Sequence, residues 1–128
     1  MADGPLGPRP GGTSVVILAD DLIWASRLAD AVTSAGAQPR RVRRIDELER
    51  LLSPTGAARA IVDLTARGYD GLAAIGSAHE AGARVVAVGQ HDDVELRRRA
   101  IKAGAERVYT YRALFEGGAR LLGAWLAR

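Results

Sequence analysis

The sequence predicts an α/β fold: a parallel sheet covered by helices on both faces. Two observations carry this reading. Five short stretches of strand character alternate with five of helical character, and the strongest strands are apolar at every position rather than at every second one. A strand apolar throughout has both faces buried, as in a parallel sheet. A third observation marks the working edge. Acidic residues directly follow or end two of these strands, at Asp20, Asp21 and Asp63. In open α/β sheets the crevice beyond the C-terminal strand ends is where ligands sit.

Residues 1–13 are rich in proline and glycine, have no apolar period and read as a disordered tail. The folded domain is expected over 14–128. Residues 14–19 (SVVILA) form the first strand, and Asp20 and Asp21 follow it. Residues 22–35 carry Ile23, Leu28, Ala31 and Val32 at helical spacing, and Gly36 stops the helix. Residues 39–44 (PRRVRR) are a weaker, peripheral strand. Over 46–52, Leu48, Leu51 and Leu52 share a helical face, with Asp46 or the residue before it as cap. Residues 53–56 are a turn.

Residues 58–64 (ARAIVDL) form a second central strand with Asp63 near its end, and 68–71 a loop. A helix over 72–81 stops at Gly82. Residues 84–88 (RVVAV) are a third buried strand, ended by Gly89. A charged helix over 93–103 stops at Gly104. Residues 106–111 are the last strand, and 114–127 the closing helix, with Leu121, Leu122, Trp125 and Leu126 available to the core. Such an alternation calls for right-handed crossovers and helices on both faces.

Composition excludes several function classes. The chain has 128 residues, one domain's length, and no cysteine, so disulfides, thiolate metal sites and cysteine nucleophiles are ruled out. Its two histidines, His79 and His91, do not stand at zinc-ligand spacing. No apolar run reaches the about 20 residues needed to span a membrane, and the N-terminus lacks signal-peptide features. A cytoplasmic, non-membrane protein is expected. The net charge is +3. Arg40, Arg41, Arg43 and Arg44 form one basic cluster, and Arg97, Arg98 and Arg99 another. Without stacking aromatics or a helix-turn-helix these read as solvated surface, and nucleic acid is not an expected partner. Trp24 and Trp125 stand at helical positions and read as core or partner-facing. His91 reads as a solvated loop residue on the crevice side.

Three segments together resemble the receiver domain of response regulators. DLTARGYDGL (63–72) resembles its phosphoacceptor aspartate, leucine and the loop closing on aspartate–glycine. ILADDL (17–22) resembles its acidic pair, and AIKAGAERVYTY (100–111), through AGA, the approach to its last strand. The resemblance covers 14–127. It implies a flavodoxin-like three-layer sandwich, a five-stranded parallel sheet in the order 2-1-3-4-5 with five helices. It places Asp63 at the phosphoacceptor position. Asp20, Asp21, Asp63 and the backbone carbonyl of Thr65 fall at Mg²⁺-ligand positions, and Mg²⁺ prefers such oxygens.

Three positions depart from the receiver pattern. Gly89 stands where receivers place a hydroxyl, and Tyr111 where they place a lysine; Val108 falls at the switch-aromatic position. The expected protein is therefore a non-enzymatic, stand-alone pseudo-receiver acting through protein contacts. Its partners would be a histidine kinase or an output protein in trans, or a second copy through the fourth helix, fifth strand and fifth helix. Arg112, beside Tyr111, is a weak substitute for the missing lysine. The alternatives are a working single-domain response regulator phosphorylated on Asp63 with Mg²⁺, and a small-molecule-binding flavodoxin-like protein. The last is opposed by ADDLIW, an acidic stretch where a phosphate-binding loop would be glycine-rich.

Overall fold

The computed structural model describes residues 13–52, 59–90 and 92–128. The strands are β1 (Ser14–Leu18), β2 (Gln38–Val42), β3 (Arg59–Asp63), β4 (Arg84–Gly89) and β5 (Arg107–Thr110). All neighbours are parallel, in the order β2-β1-β3-β4-β5. The helices are α1 (Leu22–Ser34), α2 (Ile45–Leu52), α3 (Gly71–Glu80), α4 (Val94–Ala103) and α5 (Tyr111–Leu126). The expected fold class and strand order are both observed. The expected tail up to residue 12, the turn at 53–56 and His91 lie outside the described residues.

Side-chain alternation along each strand divides the interior into two cores. Val16, Leu18, Ala60, Val62, Val85 and Ala87 face α2, α3 and α4 with Leu48, Ile75 and Ala100. Val15, Ile17, Ile61, Val86 and Val88 face α1 and α5 with Leu28, Val32, Leu122 and Trp125. The central strands are thus buried on both sides, which explains their continuous apolar runs. Edge strand β2 keeps only Val42 buried. Its arginines face water, and Pro39 withholds a donor from that edge.

Two departures from the expected helix boundaries have clear local causes. Tyr111 opens α5 and does not end β5, because the Thr110 hydroxyl accepts the Ala113 N–H at 3.0 Å and caps the helix there. In α2, Asp46 lies inside the helix and does not cap it. The Glu47 carboxylate reaches back to the N–H groups of Arg43 and Arg44 at 3.0 and 3.2 Å, while Asp46 pairs with Arg44 at 2.8 Å. Gly104 ends α4 at φ +129, and a β-carbon there would press on the His79 ring at 2.6 Å. Only glycine suits both demands.

At the opposite end of the sheet from the crevice, Arg59 and Arg84 stand side by side on β3 and β4. The carbonyls ending α5 and one carboxylate answer their charges. Arg59 donates to the Leu126 carbonyl at 3.3 Å and Arg84 to that of Arg128 at 2.7 Å. Glu106 accepts from Arg84 at 2.9 and 3.0 Å and from Arg128 at 2.8 Å. Cations at a helix C-terminus match its partial negative charge.

Candidate functional site

The alternation that puts Ile61 toward α1 and α5 puts Asp63, two residues on, on the same side of the sheet. Asp63 is 1% exposed, the one buried charged residue among those described. A carboxylate so placed must be hydrogen-bonded. Its Oδ1 accepts from the Thr65 N–H at 2.9 Å, from the Thr65 hydroxyl at 2.8 Å and from the Tyr111 hydroxyl. The two hydroxyl oxygens are also 2.8 Å apart. Each hydroxyl has one proton, so only two sides of this triangle of oxygens are bonded at a time. Tyr111 is therefore turned into the pocket. Trp24 of α1 backs it, the ring centroids 3.8 Å apart. Burial, then the bond to Asp63, pushes the Tyr111 phenol well above its ordinary value.

Beneath this layer Tyr69 ties the strand ends together. Its hydroxyl reaches the Leu18 carbonyl at 2.9 Å and the Asp63 carbonyl at 2.6 Å, joining β1 to β3. Burial and the nearby Asp63 charge push this phenol up as well. Tyr69 was not legible as a structural tie. Its only signal was an aromatic in a loop otherwise made of small and charged residues. Trp24 was legible as partner- or core-facing, but its stacking partner was not.

Asp20 and Asp21 line the same 410 Å³ crevice with Trp24, Asp63, Thr65 and Arg67, but each carries a local bond. The Asp20 Oδ2 accepts the Gly68 N–H at 2.8 Å. The Asp21 Oδ1 accepts the Trp24 N–H at 3.0 Å and caps α1. Among the described residues no group of three histidine, aspartate or glutamate side chains could hold a metal. Thr65 turns its N–H and hydroxyl toward Asp63, and the Asp63 Oδ1 is already saturated. As placed, the three carboxylates are engaged in separate hydrogen bonds and are not gathered into a Mg²⁺ cage.

Gly89 brings no hydroxyl to the pocket, and crowding does not impose that absence. A β-carbon at position 89 would meet Leu64 at 3.6 Å and Val108 at 3.9 Å, both ordinary contacts. Val108 is partly buried in the core on the α2–α4 side. Arg112 points away from the pocket and pairs with Glu116 at 3.2 Å on the exposed side of α5. The basic clusters are exposed apart from half-buried Arg97, and among them Arg44 and Arg98 are paired, with Asp46 and Glu95.

Neither a protein-family model nor a curated protein matches the chain. Solved structures do. A response regulator from Chloroflexus aurantiacus superposes with a TM-score of 0.78 at 19% identity, over 91% of this chain and 99% of that one. The receiver domain of a DNA-binding response regulator from Colwellia psychrerythraea gives 0.75 at 18%, over 91% and 99%. A CheY-like receiver domain from Methanospirillum hungatei gives 0.73 at 16%, over 91% and 94%. The chain has the fold of the response-regulator receiver domain. No helix among the described residues is long and apolar enough to cross a membrane.

Proposed function

We propose that the chain is a receiver-like signalling module that works through protein contacts, its Asp63 held by Tyr111 and not used as a phosphoacceptor. The Tyr111 hydroxyl on the Asp63 Oδ1 carries this reading. A carboxylate oxygen that accepts three donors is a poor nucleophile, and the phenol stands where an incoming phosphoryl group would need room. The acceptor's stabilising partners are missing too. A charge-assisted bond to a phosphoryl oxygen contributes about 1.5–3 kcal/mol. Losing two of them at Gly89 and Tyr111 removes roughly two to four powers of ten from the phosphorylated state. Partners expected on this reading are a histidine kinase or an output protein, recognised without phosphoryl transfer.

One observation supports the second reading, a working response regulator. Asp20, Asp21, Asp63 and Thr65 still share one crevice, so a Tyr111 swung outward would free Asp63, the phosphoacceptor position, beside the acidic pair. Intact mass after incubation with Mg²⁺ and phosphoramidate or acetyl phosphate separates the two. The expected result is no adduct on the wild type and a phosphoryl adduct on Gly89→Thr/Tyr111→Lys, lost when Asp63→Asn is added. A near-stoichiometric wild-type adduct that disappears in Asp63→Asn establishes the second reading instead.

A further inference from the structure

We infer that the α1–α5 face is a self-pairing surface, and that its occupant is a second copy of this chain. Two large apolar side chains stand open there, Ile23 and Phe115, each 67% exposed. Ile23 lies one helical turn before Arg27, hence on the same side of α1. The Arg27 guanidinium sits over the Phe115 ring at 4.7 Å and over the Trp24 ring at 5.6 Å. Beside this stack runs a groove of about 530 Å³, bordered by Arg27, Asp30, Phe115, Glu116, Gly117 and Arg120. Gly117 departs from helical geometry and breaks α5 at that point. Gly118 lets the helices close up, since a β-carbon on it would lie 3.1 Å from that of Ala31.

The charges decide the occupant. α1 and α5 each follow a strand of one parallel sheet, so they run in the same direction, and the Arg27–Phe115 and Ala31–Gly118 contacts fix their register. Nearer the crevice stand Arg27 on α1 and Glu116 on α5. One turn further from it stand Asp30 on α1 and Arg120 on α5. All four are exposed. Positive and negative thus alternate around a square. A two-fold axis lying in this face, along the helices or across them, sets every corner against its opposite: Arg27 on Glu116 and Asp30 on Arg120 of the second copy, or Arg27 on Asp30 and Glu116 on Arg120. A two-fold contact must be self-complementary in this way. Within one chain Glu116 reaches Arg112 at 3.2 Å, and among the described residues Arg27, Asp30 and Arg120 have no opposite charge within 4.0 Å.

The exposed side of α4, by contrast, carries Arg98, Arg99 and Lys102, with Glu95 beside Arg98 as its partner at 3.1 Å. A second copy placed there would meet its own sign. Pairing through α1 and α5 also covers Trp24, and through it the Tyr111 that holds Asp63.

This inference rests on the reading of the chain as a protein-contact module, but it is tested without a phosphodonor, so its outcome and that of the phosphorylation experiment are independent. Sedimentation velocity over the micromolar range is expected to show a concentration-dependent dimer. Arg27→Glu and Phe115→Ser, both at exposed positions, each weaken it roughly ten- to a hundredfold. Inverting all four charges together (Arg27→Glu, Asp30→Arg, Glu116→Arg, Arg120→Glu) restores it, which no loss of folding could do. A monomer at every concentration overturns the inference. So does a dimer indifferent to Arg27→Glu and Phe115→Ser, or one broken by Ile101→Asp on α4 alone.

Discussion

At position 111 a phenol stands where the receiver resemblance leads to a lysine, and the two differ in charge as well as size. A lysine ammonium would attract a phosphoryl group. The phenol is neutral, and it donates its one proton to the carboxylate that would otherwise react. The identities of Gly89 and Tyr111 were legible in the sequence because the resemblance sets them at the ends of the fourth and fifth strands. The inward turn of Tyr111 was not, since it depends on Trp24 of α1 arriving behind it from 87 residues away. The bond has a pH consequence. Tyr69 and Tyr111 keep their protons in the folded chain well above the ordinary value of 10.0, whereas in the unfolded chain they release them near it. Above that pH the unfolded state holds fewer protons, so stability is intact below about pH 10 and falls as pH rises beyond it. Phenolate absorbance is expected to show Tyr69 and Tyr111 ionising only as the chain unfolds, with Tyr109, also pushed up by burial but less so, ionising before them. Tyr111→Phe removes one of them and makes the loss of stability with rising pH shallower. Free titration of all three in the folded protein would refute the buried assignment.

Helices and strands were legible to within a few residues because apolar runs and glycine stops mark them, but their joints were not. The β5–α5 joint depends on the Thr110 hydroxyl choosing the Ala113 N–H, a choice that the β-rich string VYTY conceals. The clamp at the far end of the sheet was equally hidden, since it joins β4, the residue before β5 and the chain after α5. Glu106 is its centre. The hydrogen bond from Arg84, ahead of the smaller contribution from Arg128, holds its carboxyl below the usual value against the opposing effect of burial. A depressed carboxylate contributes stability that is present above its unfolded value and lost as pH falls through the folded one. Glu106→Gln is expected to lower stability by about 1 kcal/mol near neutral pH, the low end for charge-assisted bonds because the pair is partly exposed. Urea unfolding measures it. The wild-type advantage should shrink on acidification, and a constant difference down to strongly acid pH would show that the charge contributes nothing.

For the molecule as a whole, the fold was readable because every central strand is apolar on both faces, which only a covered sheet can satisfy. What could not be read is how far the two cores depend on each other. They meet only through the sheet, one closed by α2, α3 and α4, the other by α1 and α5. Strand neighbours such as Ile61 and Val62 send adjacent side chains into opposite cores, so loosening one face frees the strands that floor the other. The two should therefore melt together, as small single domains do. Leu48 in one core and Leu122 in the other are both fully buried. Leu48→Ala and Leu122→Ala are each expected to cost about 2–5 kcal/mol. In a Trp24→Phe background the remaining tryptophan, Trp125, reports the α1–α5 core alone. Its fluorescence and far-ultraviolet circular dichroism should give one coincident urea transition in both variants. If Leu48→Ala splits them, with Trp125 unfolding later than the circular dichroism, then the α1–α5 layer holds without its partner and the sheet does not couple the two faces.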